Sequence, residues 1–162
     1  MIKLVIVDDH TLFREGLASI IQSEPDIEVA GMAGSVLESI EVVRRLKPGI
    51  VLMDFSLPDG TGADATRLIL NEQPECMIIF LTVSENDDNL VAAIRSGAKG
   101  YLLKNMSPSK LVNALRSVIQ GEAALSRKMT RSLIERIAEK DHFSDAGQLH
   151  PELRQLTSRE ME

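Results

Sequence analysis

The chain has 162 residues, 44% of them hydrophobic, enough for one α/β domain with a full core and a short extension but not for two domains. A formal net charge of -6 excludes a basic nucleic-acid-binding surface over most of its length, because neutralising phosphates takes clustered Lys and Arg. Cys76 is the single cysteine and forbids an intrachain disulfide, and the apolar opening is too short for a signal peptide or a membrane span, so a soluble cytoplasmic protein with a reduced core thiol is expected.

In chain order, the first predicted element is a strand over Ile2–Val7, ended by Asp8 and Asp9. Phe13, Leu17, Ile20 and Ile21 recur at helical spacing after it, and Glu24-Pro25-Asp26 stops that helix before a second strand, Ile27–Ala33. Val36, Ile40 and Val43 mark the next helix, Lys47-Pro48-Gly49 its end, and Ile50–Met53 the third strand, which runs into Asp54. Ala65, Leu68 and Ile69 form a third helical stripe, closed by Gln73-Pro74-Glu75 ahead of the strand Met77–Thr82. Leu90, Ala93 and Ile94 make the fourth helix, closed by Gly97, and Gly100–Leu103 the fifth strand, followed by Lys104 and a helix through Leu111, Leu115, Val118 and Ile119.

Five short apolar strands in strict alternation with amphipathic helices predict a doubly wound, five-stranded parallel sheet covered on both faces, because right-handed crossovers between parallel strands need a helix. Beyond Gly121 the rhythm changes. Met129, Leu133, Ile134 and Ile137 predict one more amphipathic helix near 128–140, residues 141–155 lose periodicity and read as a connection, and Thr157-Ser158-Arg159-Glu160 has the spacing of a capping box.

Open α/β sheets bind at the carboxyl ends of their strands, and that is where this chain places its reactive side chains. Asp8, Asp9 and Asp54 at the ends of neighbouring strands would repel one another and raise at least one pKa unless a cation lies among them. Mg²⁺ suits such a site, since it prefers hard oxygens and is held by one or two carboxylates plus phosphate oxygens. A strand-terminal aspartate beside Mg²⁺ is a nucleophile towards phosphorus, and the transferring group needs donors and positive charge, which Thr82 and Lys104 offer from two further strand ends. Taken singly, Asp8 and Asp9 read as helix caps, Thr82 as a capping hydroxyl and Lys104 as a solvated lysine. Four strand ends carrying this set together favour the shared site.

The motifs Ile6-Val7-Asp8-Asp9-His10, Leu52-Met53-Asp54-Phe55-Ser56-Leu57-Pro58-Asp59-Gly60, Leu81-Thr82-Val83-Ser84 and Gly97-Ala98-Lys99-Gly100-Tyr101-Leu102-Leu103-Lys104 resemble those of the two-component response-regulator receiver domain. The resemblance implies a flavodoxin-like, CheY-like strand order 2-1-3-4-5 and a receiver over 1–121. It implies that Asp54 accepts phosphate from a sensor histidine kinase. Mg²⁺ would be held chiefly by Asp9, by Asp8 through water, by Asp54 and by the carbonyl of Ser56. Thr82 and Lys104 would contact the phosphoryl group, and the Tyr101 rotamer would follow Thr82. Ser56 and Ser84 occupy positions thought to tune phosphate lifetime. Many receivers follow the active-site lysine with proline in a cis bond, whereas Asn105 stands here.

The tail is similar to regulators of the NarL/FixJ subfamily, whose LuxR-type helix-turn-helix opens with a Leu-Thr-x-Arg-Glu pattern matched by Leu156-Thr157-Ser158-Arg159-Glu160. That resemblance implies a linker over 122–155, a truncated helix-turn-helix over 156–162, DNA contact only through the missing part, and homodimerisation on phosphorylation. Two rival readings come from other classes. Gly60-Thr61-Gly62-Ala63-Asp64-Ala65 fits G-x-G-x-x-A formally, but it does not open the first βα unit, and Asp59 would repel a pyrophosphate. A flavodoxin-like FMN carrier, or another Mg-dependent α/β binding module, shares the strand order, but an FMN phosphate would meet Asp8 and Asp9 instead of donors.

Overall fold

A computed structural model describes residues 1–83 and 85–148, with side chains described up to Lys140. The five expected strands form one parallel sheet: β1 (Ile2–Val7), β2 (Ile27–Ala33), β3 (Ile50–Met53), β6 (Met77–Thr82) and β7 (Gly100–Leu103), in the order β2-β1-β3-β6-β7. This is the expected 2-1-3-4-5 order once a small hairpin is set aside. That hairpin, β4 (Ser56–Leu57) with β5 (Gly60–Thr61), pairs antiparallel where the sequence suggested only a loop.

Alternation along each strand sorts the core into two layers. Leu4 and Ile6 of β1, Leu52 of β3, Ile79 and Leu81 of β6 and Leu102 of β7 point to one face. There they pack with Leu17, Ala18 and Ile21 of α1 (Thr11–Gln22) and Leu111, Val112, Leu115 and Val118 of α5 (Pro108–Ile119). Val5, Val7, Val51, Met53, Ile78 and Phe80 alternate with these and are equally buried. The helices α2 (Val36–Leu46), α3 (Gly62–Glu72) and α4 (Asp87–Ser96) pack side by side in that order. Both faces of β3 are sealed, so its four residues are all apolar.

Local chemistry sets the helix boundaries. Ser35 and Asn86 cap α2 and α4, Thr61 and Asp64 form a capping box on α3, and Ser107 with Pro108 starts α5. At its C-terminus α4 turns out through Gly97 at φ 109°, as the sequence predicted. Gly62 has a different task. A Cβ there would stand 2.2 Å from the carbonyl oxygen of Asp54, so only glycine lets α3 start this close behind the third strand. The G-x-G-x-x-A spacing thus reflects packing.

Past α5, Ala124 forms a parallel bridge with Gly100; its carbonyl accepts from Tyr101 N at 2.8 Å, and its own N–H donates to Lys99 O at 3.1 Å. A first compact unit accordingly runs over Met1–Ser126 and a second begins at Arg127. The second contains α6 (Arg127–Gln148), which starts one residue before and runs eight residues past the helix expected near 128–140. The 141–148 stretch lacks proline and has glycine only at 147, so nothing in it stops a helix already nucleated. Ser84 and the 156–162 pattern lie outside the described residues. Among those described, no helix is long and apolar enough to cross a membrane.

Candidate functional site

The strand order reverses between β1 and β3, and the crevice beyond their carboxyl ends is where an open α/β sheet binds its ligands. Backbone bonds carry the ladder one residue past each strand: Asp8 N donates to Ala33 O, Asp54 N to Val7 O and Lys104 N to Thr82 O, at 3.0, 2.9 and 2.8 Å. The reactive residues are therefore held by the sheet itself. Asp8 and Asp54 are buried, whereas Asp9 and Ser56 face solvent.

Lys104 closes the site from above β7. Its Nζ lies 2.6 Å from Asp8 Oδ2 and 3.2 Å from Asp54 Oδ2, with only 10% of the side chain exposed. Its ammonium also sits 4.5 Å from the centre of the Phe13 ring, a cation–π contact worth about 0.5–2 kcal/mol. Burial alone would favour neutral lysine, but the two carboxylates outweigh it and raise the Lys104 pKa. The balance at Asp54 falls the other way. Burial raises its pKa, and the neighbouring Asp8 adds to the rise, against the partial relief given by Lys104.

Asp8, Asp9, His10 and Asp54 each bring one ligand atom to within 4.8 Å of the others. Three carboxylates against one ammonium leave two negative charges, and the oxygens are hard donors, so the set fits a divalent ion such as Mg²⁺. Receiver domains bind Mg²⁺ at an acidic pocket of this kind.

Thr82 and Tyr101 occupy the neighbouring strands. Both are buried; burial of the phenol raises the Tyr101 pKa, and the nearby Thr82 hydroxyl eases that rise. The Tyr101 ring stacks on Phe80 at 6.2 Å, and Phe80 in turn meets Phe55, next to Asp54, at 5.9 Å. A continuous aromatic row thus links the residue beside Asp54 to the residue that touches Thr82. No cis peptide occurs among the described residues, so Lys104–Asn105 is trans.

Three contributors escaped sequence reasoning. Arg14 donates through Nη1 to the carbonyl of Asp8, fastening the start of α1 behind the first acid. Asp59 accepts from Val36 N at 2.7 Å and Leu37 N at 3.0 Å, so the loop after Asp54 caps a helix 22 residues upstream, and those two bonds lower the Asp59 pKa. His10 caps α1 without using its ring for the cap, and Nδ1 instead lies 3.2 Å from Asp8 Oδ1 and 3.1 Å from Asp9 Oδ1. Only His10 left a sequence signal, by directly following the acid pair.

Comparison with known proteins agrees with this geometry. The response regulator receiver domain family model matches residues 4–116. The oxygen regulatory protein NreC of Staphylococcus aureus is 36% identical over 161 residues, covering 99% of this chain and 74% of that protein. A crystal structure of a LuxR-family two-component response regulator from an Aurantimonas species superposes with a TM-score of 0.78 at 30% identity, over 85% of this chain and 99% of that one. The isolated receiver of RcsB from Salmonella enterica, solved with the phosphomimetic BeF3-, has the same fold at 24% identity and a TM-score of 0.73, over 81% and 97% of the two chains. An FMN carrier gains no support from the site, whose first loop presents carboxylates and not phosphate donors.

Proposed function

Because this chain belongs to the response-regulator receiver family, in its LuxR-type branch, we propose that Asp54 is its phosphoacceptor and that Thr82, Tyr101 and Lys104 read the phosphorylated state. Response regulators of this family are phosphorylated by histidine kinases, and receivers act as signalling domains, not as conventional enzymes. The observation that carries the assignment is the ammonium of Lys104 held 3.2 Å from a buried Asp54 carboxylate at the strand-order reversal.

The chemistry follows from these positions. A carboxylate oxygen of Asp54 forms a bond to phosphorus as the P–N bond of a phosphohistidine breaks and the imidazole leaves with the electron pair. Asp54 must be ionised to attack. Burial opposes this, and Lys104 offsets it by stabilising the anion. Bound Mg²⁺ would supply charge neutralisation for the phosphoryl oxygens, with Asp9, Asp8 through water, Asp54 and the Ser56 carbonyl as its holders.

Once phosphate sits on Asp54, two or nearly two negative charges and three acceptor oxygens replace one charge, and Thr82 and Lys104, at the carboxyl ends of β6 and β7, offer a hydroxyl and an ammonium to it. A Thr82 hydroxyl drawn to phosphate leaves the neighbourhood of the Tyr101 phenol, and the aromatic row then transmits a local event to the β6-α4-β7 surface. This surface would govern dimerisation and a LuxR-type DNA-binding domain joined through the 122–155 linker, in a cytoplasmic transcription regulator. Self-catalysed phosphorylation from small donors, and dephosphorylation, belong to the same reading.

Beryllofluoride mimics an acyl phosphate on a carboxylate, so adding it with Mg²⁺ should raise the melting temperature of the wild-type chain by several degrees. Asp54→Asn should abolish that shift. An equal shift in both proteins would refute the assignment.

A further inference from the structure

Building on the acid cluster as a divalent-cation site, we propose that His10 makes it a mixed nitrogen and oxygen site that favours borderline transition ions over Mg²⁺ more than carboxylates alone would. His10 has extended backbone angles at the start of α1, its N–H donates to Asp8 Oδ1 at 2.8 Å, and its side chain makes no bond to the helix it caps. The imidazole is turned back over the acids, and its Nδ1 lies 3.2 and 3.1 Å from oxygens of Asp8 and Asp9.

Those separations have a meaning in coordination chemistry. Two adjacent ligands on an octahedral ion with bonds of about 2.1 Å are about 3.0 Å apart. Nδ1 is within hydrogen-bonding distance of Asp8 Oδ1, and from Asp9 Oδ1, the direct carboxylate of the proposed site, it stands at the spacing of neighbouring ligands on one ion; all four ligand atoms fall within 4.8 Å. The ring is 72% exposed, so its approach to an ion needs no opening of the core.

Imidazole and carboxylate differ in which ions they suit. Mg²⁺ takes oxygen ligands and keeps its waters, so a neighbouring nitrogen adds little to its binding. Co²⁺ and Ni²⁺ gain from imidazole, and they stand higher in the ordinary affinity order. The consequence is a site whose occupant follows the available ions, with His10 setting the discrimination.

The test is calorimetric titration of the full chain with Mg²⁺ and with Ni²⁺ at one fixed pH, for wild type, Asp9→Asn and His10→Ala. The inference predicts that His10→Ala weakens Ni²⁺ binding at least about tenfold and changes Mg²⁺ binding by less than about twofold. An unchanged ratio of Ni²⁺ to Mg²⁺ affinity, whether both fall together or neither moves, would overturn it, because His10 would then act only by positioning the acids. Asp9→Asn separates the premise from the inference: it should weaken both ions. If Mg²⁺ binding ignores Asp9, the cation-site reading itself fails.

Discussion

Two lysine or arginine side chains in this fold each hold two carboxylates, at opposite ends of the sheet, and they do so in opposite ways. Arg116 on α5 forks onto Asp26 with two bonds of 3.0 Å and onto Glu24 at 2.7 Å, with each side chain roughly a third or more exposed. Its donors match its acceptors, water covers the remainder, and the Asp26 pKa falls under the pull of the guanidinium. Lys104 is largely covered, its single ammonium is shared between Asp8 and Asp54, and the Asp54 pKa rises all the same. The Arg116 clasp ties α5 to the α1–β2 turn and is complete. The Lys104 cluster is short of positive charge, and that shortage suits the role proposed for it with a cation and a phosphoryl group.

The largest predicted effect breaks the buried cluster. Lys104→Met leaves Asp8 and Asp54 facing each other without a counter-ion and should cost about 3 kcal/mol, measured by urea denaturation, with part of the loss recovered by millimolar Mg²⁺. A loss below about 0.5 kcal/mol would show that the ammonium is not shared as described.

Next in size is Asp54→Asn, which should stabilise the chain by about 1 kcal/mol at neutral pH. The sign follows from linkage. A carboxyl whose folded pKa lies above its unfolded value of 3.8 costs stability while it is ionised, and the cost fades as pH falls through the raised value. The advantage of the variant should therefore shrink between neutral pH and the acid range just above 3.8, seen as converging melting temperatures. An advantage that grew on acidification would contradict the burial argument.

The smallest effect belongs to the exposed clasp. Arg116→Leu should lower the melting temperature only slightly, and about 1 M salt, with a screening length near 3 Å, should erase most of the difference. A large, salt-independent loss would place the two clusters in the same class.

Much of this contrast was legible in the sequence, and the limits are instructive. The five strands were readable because burial on both faces of a parallel sheet forces short apolar runs, and Asp8, Asp54, Thr82 and Lys104 stood out because each follows such a run. The companions of those residues were not legible. Asp59 caps a helix 22 residues upstream, and no local spacing announces a partner that distant. The Ala124 bridge and the β4–β5 hairpin are too short to show alternation, while α6 extends past Lys140 because no breaker stands there. Arg116 left no signal in the sequence, since its acids lie 90 and 92 residues away.

The charge-deficient cluster is proposed to serve the phosphorylation of Asp54. Incubating the full chain with Mg²⁺ and a small phosphodonor, then measuring intact mass before and after alkaline treatment, tests this directly. One base-labile phosphate is expected on the wild type, none on Asp54→Asn and normal loading on Arg116→Leu. Undiminished base-labile phosphate on Asp54→Asn would contradict that role.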